Sequence, residues 1–202
     1  ADGLKWANVR MTPGLAFGTE TGSGGYDDST AILKGTWGAD QMAQATVRTL
    51  NQTSSAFEEV ELRLRSTITA NSNTGYEINF RAIQDGSQYV QVVRWNGAFG
   101  NFTLLDSRAG PGLKNGDTVK ATIVGTTITA YVNGTSIFSV NDGTYSSGNP
   151  GIGFYMQSGT ASQNADYGFT SFSASDNVTG GGTTPPPSDT TAPTISSVSS
   201  SG

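Results

Sequence analysis

Short runs that alternate apolar and polar residues, separated by turn signals, constrain this chain more than any other feature. Residues 118–123 alternate in this way, and after a turn at Gly125 the alternation resumes in residues 127–132. Asn133 and Gly134 then supply the two-residue signal of a type I′ hairpin before residues 137–140. A period of two places successive side chains on opposite faces of a strand, so this stretch predicts a three-stranded antiparallel meander.

Strand-like runs continue through most of the chain. We predict further strands at residues 31–37, 42–49, 58–67, 75–83, 89–95, 102–105, 151–156 and 167–174. No helical period separates them, and the polar positions are dominated by Thr, Ser, Asn and Gly, which favour strands and turns. Antiparallel sheets packed face to face are the expected solution for such a pattern. The predicted fold class is therefore all-β, an antiparallel two-sheet jelly-roll sandwich.

The composition indicates one folded domain followed by a tail. The chain has 202 residues with 27 Gly, 7 Pro and neither Cys nor His, which suits a single sizeable core. Residues 178–191 are rich in Gly, Thr and Pro and are expected to form an extended linker, which places the folded domain at residues 1–177. Residues 192–202 are similar to the start of a fibronectin type III-like module. We therefore expect a modular protein with covalently linked neighbouring modules.

Charge and hydropathy exclude two classes of partner. A net charge of -5 argues against a nucleic-acid binder, whose affinity comes from clustered Lys and Arg. No apolar run approaches the ~20 residues needed to span a bilayer, so no membrane insertion is expected. The first residues, Ala1 and Asp2, are interpreted as the N-terminus that remains after removal of a signal peptide. These features favour a secreted or cell-surface protein, of a bacterial extracellular type.

The order of these elements resembles the concanavalin A-like lectin and glucanase superfamily, which includes the laminin G-like jelly rolls. The resemblance is carried by residues 75–81, 89–95, 116–123, 132–134 and 149–153, and it extends over residues 6–174. It implies the jelly-roll fold and no single function, because that fold carries lectins, carbohydrate-binding modules, hydrolases, lyases and adhesion domains.

One strand has an unusual polar face in a chain with few charges. Alternation through residues 58–66 places charged side chains on one face and apolar side chains on the other: Glu59, Glu61, Arg63 and Arg65 against Val60, Leu62 and Leu64. A short turn at residues 85–87 would pair the next two strands with Arg81 opposite Gln91 and Glu77 opposite Trp95. In that register Ile78, Phe80, Ala82, Val90 and Val92 face the core. The outer face then carries Glu77, Asn79, Arg81, Tyr89, Gln91 and Trp95.

An open sheet face with carboxylates, guanidinium groups, amides and aromatic rings has the groups that bind a sugar. We predict a polysaccharide-binding site on the concave face, formed by Glu61, Arg63, Asn79, Arg81, Tyr89, Gln91 and Trp95, with Phe99 from a Gly-rich turn. The two arginines, Arg63 and Arg81, would also suit uronate or sulfate groups. The alternative is that Glu and Arg form cross-strand ion pairs on a solvated face. We assign Tyr155 to the core.

A structural calcium ion is the metal that the sequence suggests, although binding requires no cofactor. The carboxylates of Glu20, Asp27 and Asp28, with Asp166 before the closing strand, are oxygen ligands of the kind that calcium prefers. The resemblance also implies such an ion where the first and last strands meet. The alternative is that these carboxylates terminate strands and keep loops soluble.

The absence of His weakens the case for an enzyme, because it removes the commonest general base and every Ser/His/Asp triad. Jelly-roll glucanases carry Glu-x-Asp-x-x-Glu on one strand, and here Glu59 and Glu61 lack the third acid. A polysaccharide lyase that uses Arg, Gln and Tyr89 is the enzymatic alternative, and an adhesion domain with a protein partner is the third. The sequence favours a non-catalytic, lectin-like carbohydrate-binding module and leaves enzymatic activity undecided.

Overall fold

A computed structural model describes residues 8–22, 28–53, 55–69, 72–83, 85–98, 100–176 and 178. The expected linker beyond residue 178 and the expected next module at 192–202 lie outside the described residues. The same holds for two of the predicted site residues, Asp27 and Phe99.

Strands dominate the described residues. They are β1 Val9–Thr12, β2 Leu15–Gly18, β3 Ser29–Ile32, β4 Gln41–Thr49, β5 Glu58–Thr69, β6 Ser72–Arg81, β7 Tyr89–Gly97, β8 Phe102–Ala109, β9 Thr118–Val124, β10 Thr127–Val132, β11 Thr135–Asn141, β12 Asn149–Met156 and β13 Tyr167–Ser175. A single-turn 3₁₀ helix, Asn164–Asp166, precedes β13. Within the described residues no helix has the length and apolar character needed to cross a membrane.

The strands form two antiparallel sheets, which confirms the predicted fold class. One sheet has seven strands in the order β1-β2-β13-β4-β9-β10-β11, and the other has six in the order β3-β12-β5-β6-β7-β8. The predicted meander is β9-β10-β11, joined by a hairpin in which Asn133 and Gly134 both have positive φ angles, as a type I′ turn requires.

Two details of the predicted strands are wrong. The strand predicted at residues 31–37 ends at Ile32, and β1 and β2 have no counterpart among the predicted strands. Both of these N-terminal strands have only four residues, too few for a period of two to stand out in the sequence.

The core lies between the two sheets and is built by alternation. The side chains that β5, β6 and β7 turn toward the seven-stranded sheet are apolar, and they include Val60, Leu62, Ile78, Phe80, Val90 and Val92, as predicted. The facing sheet contributes apolar residues such as Val47, Val119, Ile123 and Ile128. The side chains of Glu59, Glu61 and Arg63 in β5 and of Glu77 and Asn79 in β6 alternate with these and therefore point to the opposite face of the six-stranded sheet, away from this core.

The register between β6 and β7 differs from the predicted one by two residues. Gln91 lies opposite Asn79 rather than Arg81, and Glu77 lies opposite Val93 rather than Trp95. The connection is longer than a tight turn because Ala82 and Ile83 leave the sheet and are buried. A shift of two residues keeps every side chain on its predicted face, whereas a shift of one would have inverted the set.

The polar face of β5 ends at Arg63 because the pairing with β6 shifts register after Leu64. The prediction that Arg65 continues that face is wrong. Arg65 has a φ of 46°, and its guanidinium group donates to the carbonyl oxygens of Ala39, Tyr145 and Gly125. It therefore connects β5 to loops around the seven-stranded sheet.

Candidate functional site

A cavity of about 270 Å³ lies on the face of the six-stranded sheet that points away from the core. The described polar residues that line it come from β5, β6, β7, the segment before β3 and the residue after β12: Asp28, Glu59, Glu77, Asn79, Gln91 and Gln157. The described aromatic residues that line it are Phe57, Tyr89, Trp95, Phe102 and Tyr155. Four of the predicted ligand-binding residues, Asn79, Tyr89, Gln91 and Trp95, are thus brought together in one cavity.

The sheet register explains why these side chains meet. Thr30, Gly153, Glu61, Asn79 and Gln91 are successive partners across β3, β12, β5, β6 and β7. In an antiparallel sheet directly paired residues have side chains on the same face, about 5 Å apart. One polar row therefore crosses the sheet, interrupted only by a glycine.

Arg63 lies beneath the cavity, where its guanidinium group is shared by three carboxylates. Its Nη2 atom is 2.5 Å from Glu61 Oε2 and 3.5 Å from Asp28 Oδ2, and its Nη1 atom forms an ion pair with Glu77. The side chains of Arg63 and Glu61 are both 0% exposed. Their predicted position on this face is correct, but the predicted exposure is wrong. Arg63 and Glu77 are direct cross-strand partners, so this ion pair is the alternative expected from the sequence, in a buried form.

Burial also changes the proton affinity of the carboxyl groups around Arg63. Burial raises the pKa of Glu59 to about 8, more than the hydrogen bond from Tyr89 lowers it. Burial likewise raises the pKa values of Asp28 and Glu61 well above their ordinary range, with Glu77 adding to both shifts. Burial is the main cause and the neighbouring acids add to it, so these carboxyl groups do not all carry a charge at neutral pH.

Two ring residues donate hydrogen bonds to carboxylates of this cluster. The hydroxyl group of Tyr89 donates to Glu59 Oε2, and the indole nitrogen of Trp95 donates to Glu77 Oε2. Trp95 is only 2% exposed and packs on Phe102 with ring centroids 5.4 Å apart. The prediction that the Trp95 ring is exposed for a sugar to stack on is therefore wrong. The ring instead forms part of the cavity wall.

Arg81 does not line the cavity. It is paired with Glu59 across the strands, but its guanidinium group turns to the β6–β7 connection, where it contacts Ser87 and lies 3.2 Å from Asp85 Oδ2. The group also lies over the Phe57 ring, 4.7 Å from its centroid. These contacts make Arg81 part of the support for the cavity wall.

Of the predicted calcium ligands, Asp28 and Asp166 do not share an acidic cluster among the described residues, and Asp27 lies outside them. Within the described residues, Asp28, Glu61 and Glu77 form the acidic cluster close enough to hold a cation, with ligand atoms within 4.8 Å of one another. Asp166 instead belongs to the capping box of the 3₁₀ helix, with Gln163. The cluster does not fit a calcium ion, because the Arg63 guanidinium group already occupies the space among the three carboxylates and repels a second cation.

Sequence reasoning missed part of the aromatic wall. Tyr155, assigned to the core, packs edge-to-face on Phe57 with ring centroids 5.7 Å apart and lines the cavity. A signal for it exists in β12, where Gly151, Gly153 and Tyr155 alternate with the buried residues Ile152 and Phe154. Glycines at alternate positions of a strand indicate that side chains from neighbouring strands lie over that face, and Tyr155 is the next residue on the same face.

No family model matches this sequence, and no curated protein matches it. Solved structures do match. The carbohydrate-binding module CBM66 from Bacillus subtilis superimposes with a TM-score of 0.58 at 17% identity, covering 77% of this chain and 91% of that one. The carbohydrate recognition domain of Emp46p, in its potassium-bound form, superimposes with a TM-score of 0.60 at 11% identity, covering 86% and 88%. At such identities the similarity establishes the fold alone, and the described residues form an antiparallel two-sheet jelly roll of the concanavalin A-like fold class.

Proposed function

We propose that this domain is a non-catalytic carbohydrate-binding module that binds a polysaccharide or oligosaccharide in the cavity of the six-stranded sheet. The cavity carries the proposal, because it combines a polar floor with walls of aromatic rings. Sugar hydroxyl groups exchange hydrogen bonds with carboxyl and amide groups, and the apolar C–H faces of a sugar pack on rings. Its volume of about 270 Å³ suits one or two sugar units rather than a macromolecular surface.

The structural neighbours support the same class of ligand. CBM66 is a carbohydrate-binding module, and the Emp46p domain is a carbohydrate recognition domain. Both share the fold over more than three quarters of this chain. Fold alone does not assign a function, so this support adds to the site geometry and does not replace it.

Binding fits the site better than catalysis. A lyase needs a free guanidinium group for the uronate and a phenol that can lose its proton, but Arg63 is buried among carboxylates. Burial and the carboxylate of Glu59 raise the pKa of Tyr89, which makes it a poor base. Glu61, one of the two acids that a glucanase motif would use, is 0% exposed.

The wider setting of the domain is part of the proposal. We place it in a secreted or cell-surface protein, joined through residues 178–191 to neighbouring modules. Such a binding domain would hold a linked partner close to its polymer and raise its effective concentration there.

The test is isothermal titration of the full chain against a panel of oligosaccharides and soluble polysaccharides. Tyr155→Ala and Gln157→Ala, both on the cavity rim, should weaken binding about tenfold, or ~1.4 kcal/mol. The matched control is Tyr131→Ala on β10, a half-buried ring that stacks under Lys120 on the other sheet and should leave binding unchanged. Absence of binding across the panel, or equal losses in the rim variants and the control, would contradict the proposal. Release of reducing or unsaturated ends would show an enzyme instead.

A further inference from the structure

The charged and ring donors nearest the cavity already face acidic groups of the protein. Arg63 gives its guanidinium group to Glu61, Asp28, Glu77 and the hydroxyl group of Thr30. The phenol of Tyr89 and the indole of Trp95 donate to carboxylates, as described above.

Acceptors, by contrast, are left without partners. Asn79 is 6% exposed and lines the cavity, and its Oδ1 atom has no hydrogen-bond partner. Glu61 lies opposite it in the sheet and its Oε1 atom also has no partner, but Glu61 is fully buried and does not line the cavity. A buried acceptor without a partner is costly, so a ligand that brings a donor to this place gains more than one that brings an acceptor.

An anionic sugar would meet three acidic side chains and no cationic one. Asp28, Glu59 and Glu77 line the cavity, whereas no guanidinium or ammonium group of the described residues does. A uronate or sulfate group carries a negative charge, so it would find neutral amide donors from Asn79, Gln91 and Gln157 but no counter-charge. The sequence predicted that Arg63 and Arg81 would bind such groups. Both guanidinium groups instead form ion pairs with carboxylates of the protein.

An amino sugar also fits poorly. Its ammonium group would have to share Asp28 and Glu77 with the guanidinium group of Arg63, which already forms ion pairs with both. Two cations at the same carboxylates repel each other. A sugar hydroxyl group is neither repelled by the acids nor in competition with Arg63, because it carries no charge. It can donate to the Asn79 Oδ1 atom.

We infer that the ligand class is an uncharged, hydroxyl-rich glycan, and that the cavity discriminates against uronate, sulfated and amino sugars. The inference rests on the proposed function, because it concerns the same cavity. It specifies which chemical class of carbohydrate the site accepts.

Matched polymers that differ only in charge test it. Mannan against polymannuronate and cellulose oligomers against polyglucuronate of the same linkage each change a hydroxymethyl group into a carboxylate, and cellulose oligomers against chitosan oligomers change a hydroxyl group into an amine. Titrations at pH 7, or at pH 6 for the chitosan pair so that its amines are protonated, should show at least tenfold tighter binding of the neutral member in each pair that binds.

The protein's net charge of -5 would also repel anionic polymers without any site, so salt is the necessary control. Repeating the titrations at about 0.15 M and about 0.5 M NaCl screens the long-range repulsion. The preference for the neutral polymer should persist at the higher salt, because it arises from buried contacts. A preference that vanishes at the higher salt would overturn the inference.

A variant checks the acceptor directly. Asn79→Ala removes the free Oδ1 atom and should weaken binding of the neutral polymer at least tenfold, whereas Gln44→Ala, an amide truncation on β4 of the other sheet, should not. Equal or tighter binding of a uronate, sulfated or amino polymer would overturn the inference and leave the proposed function standing. Binding to none of the polymers would overturn both.

Discussion

Gly153 leaves the space that the buried side chains of Glu61 and Arg63 occupy. A Cβ atom at this position would lie 2.1 Å from Glu61 Oε2 and 3.1 Å from Arg63 Nε, well inside ordinary contact distances. Because β12 offers only hydrogen there, the side chain of Arg63 reaches over it to Thr30 on β3. The glycine thus provides space for the ion pairs beneath the cavity, and its absent side chain matters more than its backbone freedom.

Gly153→Ala should destabilise the domain by about 2 kcal/mol, because Glu61 is buried and held by Arg63 and so has little freedom to move away. The check is urea denaturation in a double-mutant cycle with Glu61→Ala, which removes the clashing atom. The cost of the methyl group should be clearly smaller in that background. The same cost in both backgrounds would show that the Glu61 carboxylate is not the obstacle.

Strand β5 is the element that links the core, the cluster and the opposite sheet. Its apolar face packs in the core, its other face carries Glu61 and Arg63, and its register shift turns Arg65 away. Arg65 is 3% exposed and donates to three carbonyl oxygens that come from loops of the other sheet. One strand therefore connects both layers through a single buried side chain.

Arg65→Met should lower the free energy of unfolding by about 3 kcal/mol, because three carbonyl groups lose their donor while the apolar stem is kept. Chemical denaturation of the purified variant measures the loss. Arg108→Met is the matched control, since Arg108 forms a surface ion pair with Asp106 and its side chain is 57% exposed. Its effect should stay within about 0.5 kcal/mol. Comparable losses in the two variants would refute the role of Arg65.

At the scale of the whole molecule, the two sheets differ in what they bury. The seven-stranded sheet supplies one wall of the core, and the six-stranded sheet supplies the other wall and also buries acids on its far side. Burial raises the pKa of Glu59 on that far side to about 8, and it raises the pKa of Glu58, which accepts a hydrogen bond from Thr49 of the facing sheet, to about 7, against an ordinary value of 4.5. Stability is therefore tied to proton binding by the folded state.

The domain should lose stability as the pH rises from about 5 to about 8. In this interval the folded state binds more protons at Glu58 and Glu59 than the unfolded state does, so unfolding becomes easier with rising pH, by up to ~1.4 kcal/mol per pH unit for each group. Urea denaturation at several pH values measures the slope. Glu58→Gln removes one of the two groups and should flatten the curve between about pH 5 and 7. A stability that rises with pH in this range would contradict the burial of protonated acids.

The sequence by itself determined the sandwich and the faces of its central strands. Alternation assigns Val60, Ile78 and Val90 to the core and Glu61, Asn79 and Gln91 to the other face, and this assignment survived a two-residue error in register because side-chain direction has a period of two. The Asn-Gly hairpin was equally predictable, because its turn depends on two adjacent residues.

Only the tertiary structure decided which of those polar side chains face a ligand. Alternation gives the direction of a side chain but not what lies above it, so the burial of Arg63 and Trp95 was not readable from the pattern. The partners of Arg63 come from β3, β5 and β6, which are distant in sequence and meet through the strand order. Tyr155 and Phe57 joined the cavity wall for the same reason. Local periodicity fixes orientation, whereas contacts between strands that are remote in the chain fix burial, charge balance and the shape of the site.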